Sequence, residues 1–262
     1  MDLGLNGLSC VVTGGSSGVG LALVSLLLDE GACVATCARD RARLDTATAS
    51  LTESAGERLL TYGCDVRSAN ESEQFMAAVV ERFGGVDGLV NNAGQSRMKS
   101  FADTTWADWN DELDLKFAAV VKPLTAALAH LRRSAVGAVV NVNAVLARQP
   151  EPHLVATSAA RAGVLNLSKN LATELAVDGI RVNSVCLGVI DSGQWRRRYD
   201  AVSPEESFET WSAAVAADRG VVLGRFGTPF EVAYVIVMLL SPRAPFVTGS
   251  SLDVGGGVGR YV

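Results

Sequence analysis

The chain is predicted to fold as one doubly wound α/β domain, a seven-stranded parallel sheet with helices on both faces. Short β-branched apolar runs alternate with longer helical stretches from end to end, the pattern of repeated strand–helix–strand units. Most of these runs are apolar without interruption, as strands are when helices cover both faces. No stretch of the 262 residues has the composition of a linker, so 1–262 reads as a single domain.

Strands are expected at Ser9–Thr13, Cys33–Cys37, Leu59–Cys64, Leu89–Asn91, Ala138–Val142, Arg181–Cys186 and Ser251–Val254. Helix signals fall between them: Ser68 and Glu71 have capping-box spacing, and Gly31 and Gly179 stand where helices should stop. Residues 192–220 break the alternation and carry Trp195, Arg196, Arg197, Arg198, Tyr199, Phe208 and Trp211. This stretch is expected to form a lobe over the carboxyl ends of the strands, where ligands bind in such folds.

Composition excludes several classes. With 48% hydrophobic and 19% charged residues, the chain has too much apolar surface for disorder. A formal charge of -5 argues against a nucleic-acid partner, since phosphate binding calls for a basic excess. The longest apolar runs, such as Val232 to Leu240, are far too short to span a bilayer, and the N-terminus lacks a basic-then-apolar signal region. A cytoplasmic protein without a membrane partner is expected. Five cysteines (Cys10, Cys33, Cys37, Cys64, Cys186) are odd in number and lack metal-ligand spacing, so they read as small buried hydrophobes, and no metal is expected.

The first strand runs into Thr13-Gly14-Gly15-Ser16-Ser17-Gly18-Val19-Gly20 and then an apolar helix with Leu21, Val24, Leu27 and Leu28. Glycines let the backbone approach a diphosphate, and the helix N-terminus offers unpaired N–H groups and partial positive charge. Gly14, Ser16, Ser17, Gly18 and Val19 are therefore candidate dinucleotide contacts, in a Rossmann-type arrangement.

Further motifs follow in order: Asp65-Val66, Asn91-Asn92-Ala93-Gly94, Arg181-Val182-Asn183 with Gly188, Gly227-Thr228-Pro229 with Glu231, and Val247-Thr248-Gly249 leading to Asp253, Gly255 and Gly256. Together with the first turn, they make the chain resemble the short-chain dehydrogenase/reductase family over nearly its whole length. The resemblance implies a nicotinamide cofactor, with Asp65 and Val66 at the adenine and with Asn92, Ala93, Gly94, Gly188 and Val189 as further contacts. After the second strand, Ala38 occupies the family's usual acidic position and Arg39 that of its phosphate-binding arginine. NADP(H) is therefore favoured over NAD(H), although Asp40 could pair with Arg39 or take the ribose instead.

The resemblance breaks at the catalytic residues. The family's Tyr-x-x-x-Lys pair falls on Thr157 and Arg161, its serine on Ala144 and its asparagine on Lys116. A threonine hydroxyl is far too weak an acid to replace a phenol, and an arginine stays protonated and relays no proton. Arg161 can still reach ribose hydroxyls as a donor, and Asn143 can offer an amide to a carbonyl.

Three readings stay open. The first is an oxidoreductase acting on a ketone or alcohol through a rearranged site, with the proton supplied by Lys116 or Tyr199, Lys116 otherwise reaching to solvent along its helix. The second is a non-redox enzyme (isomerase, hydratase or cyclase) on the same scaffold, and the third a catalytically silent partner of an active homologue.

Gln194-Trp195-Arg196-Arg197-Arg198 at the cleft mouth would suit an anionic or coenzyme A-linked small-molecule substrate, or would form a solvated turn paired with nearby carboxylates. His153, one turn before Thr157, could face the cleft or sit at the surface. In the family, the helices before the fifth and sixth strands pair across two-fold axes. Val120, Val121, Leu124 and Leu128, with Val164, Leu165 and Leu171, suit a homodimer or homotetramer, or are ordinary core.

Overall fold

The computed structural model describes residues 1–202 and 205–261. Seven strands, β1 (Ser9–Thr13), β2 (Cys33–Ala38), β3 (Leu59–Gly63), β4 (Gly88–Asn91), β5 (Ala138–Ala144), β6 (Arg181–Leu187) and β7 (Ser251–Val254), form one sheet in the order β3-β2-β1-β4-β5-β6-β7. All pairs are parallel. The expected strands are all present, with ends within two residues.

Alternation within each strand feeds two cores. Val12, Val34, Val90, Val140 and Val185 face α1 (Gly18–Asp29) and α8 (Pro229–Leu240). Their neighbours Val11, Ala35, Leu89, Val139 and Val182 face α3 (Ala69–Phe83), α4 (Trp106–Leu131) and α5 (Val155–Glu174). A two-residue period on a sheet covered on both sides requires such a split. A third, smaller apolar cluster joins Cys186 and Val189 to Ala216, Val221 and Phe226, and seats the lobe built of α6 (Gly193–Val202) and α7 (Phe208–Asp218).

Several family-like motifs prove to be struts. Arg181, almost fully buried, donates to the carbonyls of Leu239, Leu240 and Ser241, closing the C-terminus of α8 with a cation. Asn183 spans Val247 O and Ser250 N at the entry to β7. Thr228 and Glu231 form a reciprocal capping box with Pro229 in the first turn of α8. The Ser68–Glu71 box forms only in half: Ser68 Oγ accepts from Glu71 N, while Glu71 Oε2 turns back to accept from Asp65 N. Gly31 and Gly179 take φ of +83° and +73°, as helix stops that only glycine tolerates easily.

Four of the five cysteines are buried, Cys33 is half-buried, and all are free thiols. Among the described residues no helix is long and apolar enough to cross a membrane, and no cluster of ligating side chains could hold a metal. Val120, Leu124 and Val164 belong to the core of the single chain, so only part of the stripes expected at an interface is available to one; Val121 is exposed.

Candidate active site

The chain reverses direction across the sheet between β1 and β4, and a cleft of about 700 Å³ opens at the carboxyl ends of those strands. One wall is the β1–α1 turn. Gly14 (φ +78°) and Gly18 (φ +56°) both need left-handed backbone, and a Cβ on Gly14 would lie 2.9 Å from Ala93 Cα. Asn92 locks the turn from the next loop, its Nδ2 donating to Thr13 O (3.0 Å) and Gly14 O (3.1 Å). Thr13 Oγ1 accepts in return from Asn92 N and Ala93 N. Ser17, at the N-cap of α1, makes no side-chain cap, which leaves the first turn of the helix open toward the cleft.

Of the proposed cofactor contacts, Gly14, Ser16, Ser17, Gly18 and Val19 line this wall, and Arg39, Asp65 and Val66 line the far end. Asn92, Ala93 and Gly94 complete the floor, where Gly94 faces open space. Asp40 is committed to capping α2 (Arg41–Ala55), accepting from Arg43 N at 2.9 Å, and so does not pair with Arg39. Gly188 and Val189 lie beside this lining and not in it. A Cβ on Gly188 would lie 2.5 Å from Gly255 Cα, so that glycine permits backbone packing, and Val189 is buried in the lobe's apolar seat; neither lines the cleft.

The opposite wall is made of side chains. Lys116 does not reach out to solvent: it is 6% exposed and its Nζ donates to Glu112 Oε1 (2.8 Å) and Gln95 O (2.5 Å). Burial, seconded by repulsion from Arg161 and opposed by Glu112, lowers its pKa to about 8. Thr157 is fully buried behind it and donates to the same Glu112 oxygen at 2.5 Å. Arg161 lines the cleft, with its Nε buried and without a partner among the described residues. Asn143 holds it, donating to Arg161 O (3.0 Å) and accepting from Arg161 Nη1 (3.4 Å). That amide is therefore a brace for Arg161 before it is a substrate contact.

Glu112 was invisible in the sequence as a site residue, because a Glu four positions before a Lys reads as a solvent-face helix pair. At 3% exposure it is the carboxylate around which Lys116 and Thr157 gather.

The lobe separates its arginines. Arg197 lines the cleft, whereas Arg196 pairs with Asp191 (2.6 Å) and covers the Phe208 ring, and Arg198 lies over Trp195. Trp195 packs against Trp211 and Phe226 and does not face the cleft. Gln194 lines it, donating to Ser96 O (3.2 Å) across the mouth. Tyr199 is not among the residues that line the cleft: its hydroxyl donates to Glu206 O and its ring packs on Phe208 and Trp211. His153 is exposed, outside the cleft lining, and takes a left-handed φ of +63° where its carbonyl accepts from Lys99 N.

Residues 14–259 match the family model described as enoyl-(acyl carrier protein) reductase. A putative ketoacyl reductase of Streptomyces coelicolor is 38% identical over 260 residues, covering 96% of this chain and 97% of its own. A short chain oxidoreductase of Pseudomonas aeruginosa PAO1, described as containing an atypical catalytic center, has been solved in two states. Its apo structure is 48% identical, covers 98% of this chain and 99% of its own, and superimposes with a TM-score of 0.95. Its NADPH-bound structure is 47% identical over 97% and 98%, with a TM-score of 0.93. With the sheet order, the glycine turn and these similarities in agreement, the chain belongs to the short-chain dehydrogenase/reductase family.

Proposed function

We propose that this protein is an NADPH-dependent oxidoreductase that reduces a ketone to an alcohol, with Lys116 as the proton donor. The observation that carries the reading is the buried Lys116 ammonium on the wall of the dinucleotide cleft. Two of its three N–H groups are occupied by Glu112 and Gln95, which leaves one for a substrate oxygen. A pKa of about 8 suits an acid working near neutral pH. Arg161 adds a fixed positive charge on the same wall, where an oxyanion develops during carbonyl reduction.

The residues present fit a phosphorylated dinucleotide. The uncapped α1 N-terminus, the open space at Gly94 and the unpartnered Arg161 Nε are places where polar groups of such a ligand would be received. The nicotinamide supplies hydride to the carbonyl carbon when bound. Arg39 and Arg43, both on the cleft, support NADPH over NADH, since each can donate to a 2′-phosphate. Arg197 supports a substrate bearing an anionic group, of which a coenzyme A thioester is one kind. Exposed Val121 on α4, with Phe230, Tyr234 and Met238 along α8, supports assembly as a homodimer or homotetramer, which light scattering checks.

The test is single-turnover oxidation of NADPH by ketones presented as thioesters, carboxylates and neutral ketoses. Consumption of cofactor with stoichiometric alcohol is expected. Tight NADPH binding with no oxidation by any of the ketones would instead identify a silent cofactor-binding protein.

A further inference from the structure

An (i, i+4) Glu–Lys pair is commonplace on a solvent-facing helix, where it contributes a few tenths of a kcal/mol. The Glu112–Lys116 pair is different, because both members are buried, at 3% and 6% exposure. Burial of two ions costs more than their attraction readily returns, so stability alone does not explain such a pair. The charges facing Lys116 come from three elements: Glu112 on its own helix, Arg161 on α5, and Arg97 on the loop after β4. Two are cations and Glu112 is the anion. The hydroxyl of Thr157 from α5 reaches the same Glu112 oxygen that Lys116 uses.

Building on Lys116 as proton donor, we propose that Glu112 is a positioning residue that holds the Lys116 ammonium charged and aimed into the cleft, with Thr157 moderating the carboxylate. Thr157 thus serves the site without touching the substrate: it donates its hydrogen bond to Glu112 and so spreads the carboxylate's charge. Without the carboxylate, burial and the two arginines would act on Lys116 unopposed and favour the neutral amine, which has no proton to give. Glu112 therefore decides how far into the alkaline range the site stays loaded.

The two partners of Glu112 give variants of opposite sign. Glu112→Gln keeps the shape and an acceptor oxygen but removes the charge. Thr157→Val keeps the charge and removes the donor that disperses it, while Thr157→Ser retains that donor. The readout is the titration midpoint of the Lys116 side-chain methylene next to Nζ, followed by NMR in the cofactor-free protein, beside the pH dependence of kcat/KM for ketone reduction. In Glu112→Gln both midpoints are expected to fall by about one unit or more, a roughly tenfold change in acidity. In Thr157→Val both are expected to rise by a fraction of a unit, and Thr157→Ser should match the parent.

Unmoved midpoints in Glu112→Gln, or a Thr157→Val shift in the same direction as Glu112→Gln, would overturn the assignment. Should Glu112→Gln fail to fold, the sign of the Thr157→Val shift decides alone. Lys116→Met separates this inference from the reading beneath it. An undiminished rate in Lys116→Met defeats Lys116 as proton donor, whereas a lost rate with unmoved midpoints in Glu112→Gln defeats only the role of Glu112.

Discussion

The two walls of the cleft are built from different materials. The β1–α1 wall is backbone: glycines in left-handed conformations, an uncapped helix end, and Asn92 clamping the turn through main-chain carbonyls. The α4–α5 wall is side chain: Lys116, Glu112, Thr157 and Arg161, drawn from two helices more than a helical turn apart in each case. A backbone wall can receive the same ligand through wide changes in surrounding sequence. A side-chain wall can be re-equipped by a handful of substitutions, and three of the four positions that the family resemblance assigns to catalysis, Lys116, Thr157 and Arg161, fall on this one.

Damage to the two walls should therefore separate binding from turnover. The largest effect is expected from Lys116→Met, which should lower kcat/KM for reduction by about 10²- to 10⁴-fold, the usual cost of losing a positioned acid. NADPH affinity measured by calorimetry should change by less than about twofold, because the β1–α1 wall is untouched. Equal losses in both quantities would break the comparison.

Gly14→Val is the converse experiment. Its φ of +78° and the 2.9 Å approach to Ala93 Cα forbid a branched side chain without movement of the turn. Strain of about 1–3 kcal/mol should appear as roughly 5- to 150-fold weaker NADPH binding. The Lys116 titration midpoint, on the other wall, should remain near that of the parent protein.

Arg39→Ala should cost about tenfold in affinity for NADPH and nothing for NADH, as expected for one charge-assisted hydrogen bond to the 2′-phosphate. A matching loss for both cofactors would move Arg39 from specificity to general support. The pH profile sharpens the other wall. In the reducing direction the acid must hold its proton, so kcat/KM should fall above pH about 8, where Lys116 loses it. Alcohol oxidation needs the neutral amine as base and should rise through the same midpoint.

The difference in materials also explains what could be read from the chain in advance. The strands declared themselves as short apolar runs, and the glycine turn by its spacing, because both follow from backbone constraints that act within a few residues. The family resemblance likewise puts the position of the usual acid on Thr157. Lys116 could be named as a candidate from the chain alone, but the burial of Glu112 beside it became visible only with α4 packed on α5. Burial is a property of the assembled layers, and no local pattern distinguishes a buried Glu–Lys pair from an exposed one. Tyr199 failed as a candidate for the related reason that a lobe folds around its own aromatic residues, and its hydroxyl closes a turn with Glu206.

The smallest effects fall in the lobe, where three consecutive arginines meet different fates. Arg196 is spent on Asp191 and the face of Phe208, so Arg196→Ala should leave KM for any ketone within about twofold and cost at most about 1 kcal/mol of stability, the range for an exposed pair. Arg197 faces the cleft, so Arg197→Ala should raise KM for an acyl-coenzyme A ketone by about tenfold and leave a neutral ketone unaffected, as expected for one lost charge-assisted contact. Comparing KM for the two substrates in the two variants removes any shared disturbance of α6. If Arg196→Ala and Arg197→Ala proved indistinguishable, charge near the mouth would act only as a diffuse field. A response confined to Arg197 would mark the point where the side-chain wall continues into the lobe and reads the substrate.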